Sequence, residues 1–124
     1  MKLSAKKTKQ NNELHRVYQE MDLEAVQGEG IICSGCGRGL KVDHSHILSR
    51  KQHESLITDP DNIVYDCKSI GEHKGCHDKW EEKNPSELLK LKNIGYRLEY
   101  VMKHDSKLFW ELTDKINEYL KDKS

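Results

Sequence analysis

The chain has 124 residues, of which 34% are charged, 35% hydrophobic and 6% aromatic, with a formal net charge of zero. That length fits one compact domain with appended helices, and the periodic apolar residues exclude a disordered composition. Zero net charge excludes a protein that grips nucleic acid by bulk charge alone, and no apolar run approaches the roughly 20 residues of a transmembrane helix or resembles a secretory leader.

Residues 1–10 are Lys-rich and polar and read as a mobile basic tail. Over residues 11–30, Leu14, Val17, Tyr18, Met21 and Ala25 follow a helical period that Gly28 and Gly30 end. Charge is unevenly spread: residues 1–19 carry five bases and one acid, residues 20–29 carry four acids and no base, and residues 30–83 carry eight bases and nine acids. Gly35, Gly37 and Gly39 mark tight turns around Cys36. Leu40 to Leu48 alternates like a strand, and Ile63-Val64-Tyr65 suggests a second. The loop between them closes on Asp59-Pro60-Asp61-Asn62, which is strong turn chemistry. A short helix is expected from Cys76 to Glu82. Asn84-Pro85-Ser86-Glu87 then reads as a fresh helix start, with Asn84 as cap and Pro85 in the first position. Leu88, Leu91, Ile94, Leu98 and Val101 carry that helix on through Gly95. Asp105 or Ser106 caps a last helix whose Leu108, Phe109, Leu112, Ile116, Tyr119 and Leu120 point inward. Residues 84–124 are thus a helical extension next to the core.

All four cysteines fall between residues 33 and 76. Cys33-x2-Cys36 with glycines at 35 and 37 has zinc-knuckle spacing, and Cys67 with Cys76 supplies a second pair at looser spacing. Four thiolates make a closed, tetrahedral, structural zinc site with no open position for chemistry. His73 is a substitute ligand for either cysteine of the second pair. An intracellular, reducing location is expected, where clustered cysteines bind metal more often than they pair as disulfides.

Asp43-His44-Ser45-His46 lies at the end of the first strand, and His77 begins a helix directly after Cys76. Asp and His ligands on a hairpin, beside a His on a helix, make a pocket for one hard cation. A neutral histidine with an ordinary pKa of about 6.5 can take a proton from water at physiological pH.

The ordered set Cys-x2-Cys, Asp-His-Ser-His-Ile, Asp-Pro-Asp-Asn-Ile-Val and Gly-Cys-His-x2-Trp resembles the HNH endonucleases, the ββα-metal nucleases with a treble-clef zinc site. The likeness spans about residues 31–83 and is closest to small stand-alone HNH proteins of phages and bacteria. It implies an α+β fold with a zinc-stapled ββα-metal core between N-terminal and C-terminal helices. It implies further that Asp43 and His77 bind the catalytic cation and that His44 is the general base. Asn62 would brace the loop, and Cys33, Cys36, Cys67 and Cys76 would hold the zinc. His46-Ile47-Leu48-Ser49 matches the family's His-Ile-x-Pro run equally well, except that Ser49 stands where the proline is usual. That alignment makes His46 the base and leaves Ser45, a poor ligand, in the metal position. The implied activity is hydrolysis of DNA to 5′-phosphate and 3′-hydroxyl ends. The cation would be Mg²⁺ or Mn²⁺, with Zn²⁺ or Ni²⁺ also compatible. A phage member would work in the bacterial host cytoplasm, as a homodimer or beside a packaging protein.

Arg50 and Lys51 follow the base strand and are candidates for phosphate contacts. Glu81, four residues after His77, shares its helix face. His53 is a loop residue, and Trp80 and Trp110 are expected to pack their helices. The rival from another class is a non-catalytic zinc module that binds nucleic acid or a protein partner, such as a phage packaging accessory. It would need the cysteines but not Asp43, His44, His46 or His77.

Overall fold

The computed structural model describes residues 5–38 and 41–123. The elements in chain order are α1 (Ala5–Gln27), β1 (Val42–His46), β2 (Ile63–Cys67), α2 (Cys76–Glu82), α3 (Pro85–Leu88), α4 (Ile94–His104) and α5 (Ser106–Lys123). Two single helical turns, Glu54–Leu56 and Pro60–Asn62, interrupt the link between the strands. Among the described residues no helix is long and apolar enough to cross a membrane.

The strands form an antiparallel hairpin in which His44 faces Tyr65, Ser45 faces Val64 and His46 faces Ile63. Side chains alternate across such a pair, so its two faces meet different partners. On one face Ile63 joins Leu14 of α1 and Ile57, with Val17, Tyr18 and Met21 packed alongside. On the other, Val64 enters the main core with Ile47, Leu48, Trp80, Leu88, Leu91, Tyr100, Val101, Leu112 and Ile116. The small sheet is thus sandwiched between α1 and the C-terminal helices.

Local turn chemistry sets the element boundaries. The Asp59 carboxylate accepts the Asp61 N–H at 3.1 Å and starts the turn that delivers Asn62. Asn84 caps α3 by accepting the Ser86 N–H at 3.2 Å, with Pro85 in the first position. Lys83, at φ +56, ends α2. Its ammonium lies 3.9 Å from the centroid of the Trp80 ring, and burial pushes its pKa down to about 8.

Several expectations need correction. Residues 5–10 belong to α1 and are helical rather than a tail; Ala, Lys and Gln are good helix formers, and polarity alone does not unwind them. Residues 1–4 lie outside the described residues, as do Gly39 and Leu40 at the expected start of the first strand. That strand runs only from Val42 to His46. The single helix expected from Asn84 onward is two, broken over residues 89–93. The break lets the Lys92 N–H reach the Gly35 carbonyl at 2.8 Å and the Asn93 side chain donate to Ser34 Oγ at 3.0 Å. Contacts distant in sequence here override helical periodicity. Trp110 is 64% exposed and Leu120 48% exposed, so neither packs α5 as expected; Leu112 and Ile116 do.

Arg97 of α4 and Asp66 of β2 are both fully buried and joined by two hydrogen bonds, one of them 3.0 Å from Nη1 to Oδ2. Arg97 Nε also donates to Asn93 Oδ1 at 2.9 Å. Asn93 in turn holds Ser34, so one polar chain runs from β2 through α4 to the Cys33–Cys36 turn.

Candidate metal centre and hairpin site

Cys33 and Cys36 come from a turn in which Gly37 has φ +78, a conformation glycine adopts without strain. Cys67 ends β2 and Cys76 begins α2. Between them the chain reverses sharply through an Ile70–His73 bridge, which closes the eight-residue gap. The four sulfur atoms lie within 4.8 Å of one another, with Cys36 Sγ 3.7 Å from Cys67 Sγ. A tetrahedral thiolate site with metal–sulfur bonds of about 2.3 Å places its sulfurs about 3.8 Å apart, so the geometry suits a metal such as zinc. None of the four is in a disulfide.

Backbone N–H groups point at the sulfurs: Cys67 N donates to Cys33 Sγ at 3.2 Å, and Cys76 N donates to Cys67 Sγ at 3.3 Å. Burial first, and the neighbouring thiols second, push the Cys76 thiol up strongly; Cys67 also rises, chiefly through burial. Four crowded thiols cannot shed their protons together without a cation to balance them, so the donor set fits a metal ion. His73 sits outside the quartet, with Nε2 3.5 Å from Cys67 Sγ. Among the described residues these cysteines form the one group of three or more Cys, His, Asp or Glu side chains close enough to share an ion.

Two glycines make room for the cluster. A Cβ on Gly35 would lie 2.8 Å from Cys76 Sγ. One on Gly75 would lie 2.4 Å from the Cys67 carbonyl oxygen and from the Lys68 carbonyl carbon. Gly75 has an ordinary φ of −73, so the obstacle there is space. Gly75→Ala must displace backbone between two of the four cysteines and is expected to cost about 1–3 kcal/mol, the usual scale for overpacking. Thermal melts of the metal-loaded variant test this; an unchanged melting temperature would refute it.

The hairpin residues divide between two neighbours. Ser45 is buried toward α2, and its Oγ shares a 3.1 Å hydrogen bond with His77 Nδ1. His44 turns toward α1. Its ring stacks on Tyr18 at 3.9 Å, and its Nε2 lies 2.8 Å from Asp22 Oδ1, which also accepts the Tyr65 hydroxyl at 2.6 Å. Asp43 is half-exposed, with its Oδ2 3.3 Å from the Lys68 ammonium. Partial burial works against ionisation, yet the His44 N–H and Lys68 hold this carboxyl below the usual carboxylate range.

His46 Nε2 lies 2.9 Å from the Ile57 carbonyl oxygen. A carbonyl only accepts, so Nε2 carries the proton and Nδ1 keeps its lone pair. Burial lowers the His46 pKa, with a smaller push from the Arg50 charge. Asn62 is fully buried. Its Oδ1 accepts the Leu48 N–H at 2.8 Å, and its Nδ2 donates to the carbonyls of Leu48 and Leu56, each at 3.1 Å. It therefore clamps the chain leaving β1 to the segment that presents Ile57. Arg50 and Lys51 are exposed at the start of that segment, Glu81 is exposed on α2, and His53 Nε2 lies 2.9 Å from Asp105 Oδ2.

Ser45 and His77 are thus brought together, and Asn62 and His46 are coupled through one loop, while His44 is drawn away to α1. Sequence reading missed Tyr18 and Asp22 as partners of His44. The signal was their i, i+4 spacing on the face that also carries Leu14. Comparison of the chain with models of protein families, with curated proteins and with solved structures finds no match.

Proposed function

We propose that the chain is an HNH-type endonuclease that hydrolyses phosphodiester bonds in DNA, with a structural zinc of treble-clef type on Cys33, Cys36, Cys67 and Cys76. The observation that carries this reading is the joint placement of hairpin and helix. His77 meets β1 at Ser45, while Asn62 locks the loop whose Ile57 carbonyl fixes the tautomer of His46.

His46 is the better base of the two candidates. Its Nδ1 lone pair is available to accept a proton from water, and its lowered pKa keeps the ring neutral below the usual imidazole range. His44 has Asp22 at one ring nitrogen and Asp43 3.4 Å from the other, an arrangement that suits a positioning role. Asp43 and His77 are the proposed ligands of the catalytic Mg²⁺ or Mn²⁺ in the alignment that makes His44 the base; with His46 as the base, Ser45 takes the place of Asp43. Two protein ligands suffice for a cation that keeps several waters and binds substrate phosphate. When bound, that cation polarises the phosphodiester and stabilises the leaving oxygen.

The test is nicking of supercoiled plasmid by zinc-loaded protein with Mg²⁺, Mn²⁺, Zn²⁺ or Ni²⁺ and with EDTA in parallel. His46→Ala and His77→Ala are expected to lower the rate by about 10²–10⁴-fold, the usual scale of general-base catalysis. His44→Ala is expected to lose less. The acid limb of the wild-type profile should fall below pH 6.5, because a depressed pKa extends the neutral, competent form downward. No cutting by folded, zinc-loaded wild type with any of these metals would overturn the nuclease.

One observation favours a second reading. With His46 as the base, the strand residue facing His77 is Ser45, whose hydroxyl is a weak cation ligand. A zinc module that binds nucleic acid without cutting it would carry no stronger ligand there. Plasmid binding that persists in the triple variant His44→Ala/His46→Ala/His77→Ala, with no cutting by the wild type, would establish that reading.

A further inference from the structure

We propose that the cleft between the first half of α1 and the loop after β1 docks the phosphate backbone of a nucleic-acid duplex and leads it to His46. The inference rests on the nuclease reading for its substrate class. The cleft has a volume of about 520 Å³ and is walled by Lys7 on α1 and by Arg50 and Lys51 on the loop. Ile57 also lines it, and the Ile57 carbonyl is the group that holds His46 Nε2. Arg50 lies close enough to His46 for its charge to disfavour the imidazolium.

Three further features fit a polyanion. The acid in the lining, Glu54, faces the Lys6 ammonium at 3.6 Å, so its charge is offset. Gln10 and Asn11 add neutral side-chain amides that can donate to phosphate oxygens. The bases of α1 sit in its first half and the acids mainly in its second, where Asp22 is taken up by His44 and Tyr65. Lys7, Asn11, Leu14 and Tyr18 recur at helical spacing along one face. The apolar contacts that seat Leu14 against Ile57 and Ile63 therefore also aim the basic turn over the loop.

The lining contains no aromatic side chain. A groove for unpaired strands stacks bases on aromatic rings, so this one suits a continuous phosphate backbone with its bases paired.

The experiment is fluorescence anisotropy of a labelled DNA duplex, and of one of its strands alone, with zinc-loaded protein and no added divalent cation, across a salt series. The wild type is compared with Lys7→Ala/Arg50→Ala/Lys51→Ala, with Lys7→Ala alone, and with Lys90→Ala/Lys103→Ala/Lys115→Ala as a charge-matched control away from the cleft. Duplex binding by the wild type should weaken at least tenfold in the triple variant. The slope of log affinity against log salt should fall by about 0.9 per phosphate contact removed. Lys7 is exposed on its helix, and Lys7→Ala alone should give a smaller shift in slope than the triple variant. The control should match the wild type, and circular dichroism and zinc content should show every variant folded. No salt-dependent duplex binding by the wild type, equal binding by the triple variant, or preference for the single strand would each overturn the proposal. Plasmid cutting separates the two readings. Docking through the cleft without cutting sinks the nuclease alone, and cutting with unchanged binding by the triple variant sinks the cleft alone.

Discussion

Stripping the metal from the four-cysteine site is expected to unfold the middle of the chain. Cys33, Cys67 and Cys76 are nearly inaccessible members of the main core, so the site is inside the structure that it stabilises. Structural zinc in small domains contributes about 10–16 kcal/mol of apparent binding free energy, whereas whole domains are stable by only about 5–15 kcal/mol. Loss of the ion therefore removes a contribution as large as the net stability. Without metal, Cys67 and Cys76 hold their protons more tightly in the fold than in the unfolded chain. The metal-free fold is thus expected to weaken further as pH rises above the ordinary thiol range, and metal binding to weaken as pH falls and protons compete. The measurement is far-UV circular dichroism and thermal melting before and after chelation, with zinc content verified. Cys67→Ser should behave like the stripped protein. An unchanged melting curve after complete stripping would show that the cysteines hold no structural ion.

Replacing Arg97 by Met is expected to cost about 3–5 kcal/mol, the scale for removing one partner of a buried ion pair. Both members of the pair are fully buried, so neither can turn to water when the other is lost. The effect should lower the melting temperature by roughly 10–20 °C for a chain of this size. The double variant Asp66→Leu/Arg97→Met should recover much of that loss, because buried pairs replaced by apolar residues of similar volume are often neutral. Recovery will not be complete: Arg97 also holds Asn93, and Asn93 holds Ser34 beside the cysteine turn. Thermal melts of both variants decide. A single variant that melts within a degree or two of the wild type would show the pair to be unimportant.

The features legible in the sequence were those that local chemistry determines. The turn at Asp59–Asn62, the cap at Asn84, the helix from Cys76 to Glu82 and the turn at Cys33–Cys36 each depend on residues within a few positions. The cysteine quartet was also readable, because spacing and glycines together leave few other uses for four thiols. What escaped depends on partners far away in sequence. His44 is turned toward α1 by Asp22, 22 residues earlier, and the helix break at residues 89–93 serves contacts to Ser34 and Gly35. Asp66 drew no notice in the sequence because its partner Arg97 lies 31 residues later. Faces of a five-residue strand are also hard to assign when Asp, His, Ser and His follow one another, since no apolar alternation marks which side is inward.

The Asp66–Arg97 pair also sets how small the protein can be made. Residues 31–83 carry the cysteines and every hairpin residue proposed to act, and they look like a cassette that could be lifted into another scaffold. Ended after Glu82, however, the chain would open Asp66 to solvent and strip Trp80 of Leu88, Val101 and Leu112, which share its core. The Cys33–Cys36 turn would lose the Lys92 and Asn93 contacts that hold it from outside. The portable unit runs to the inward residues of α5, at least as far as Ile116, and any minimal version or graft has to carry the C-terminal helices with it.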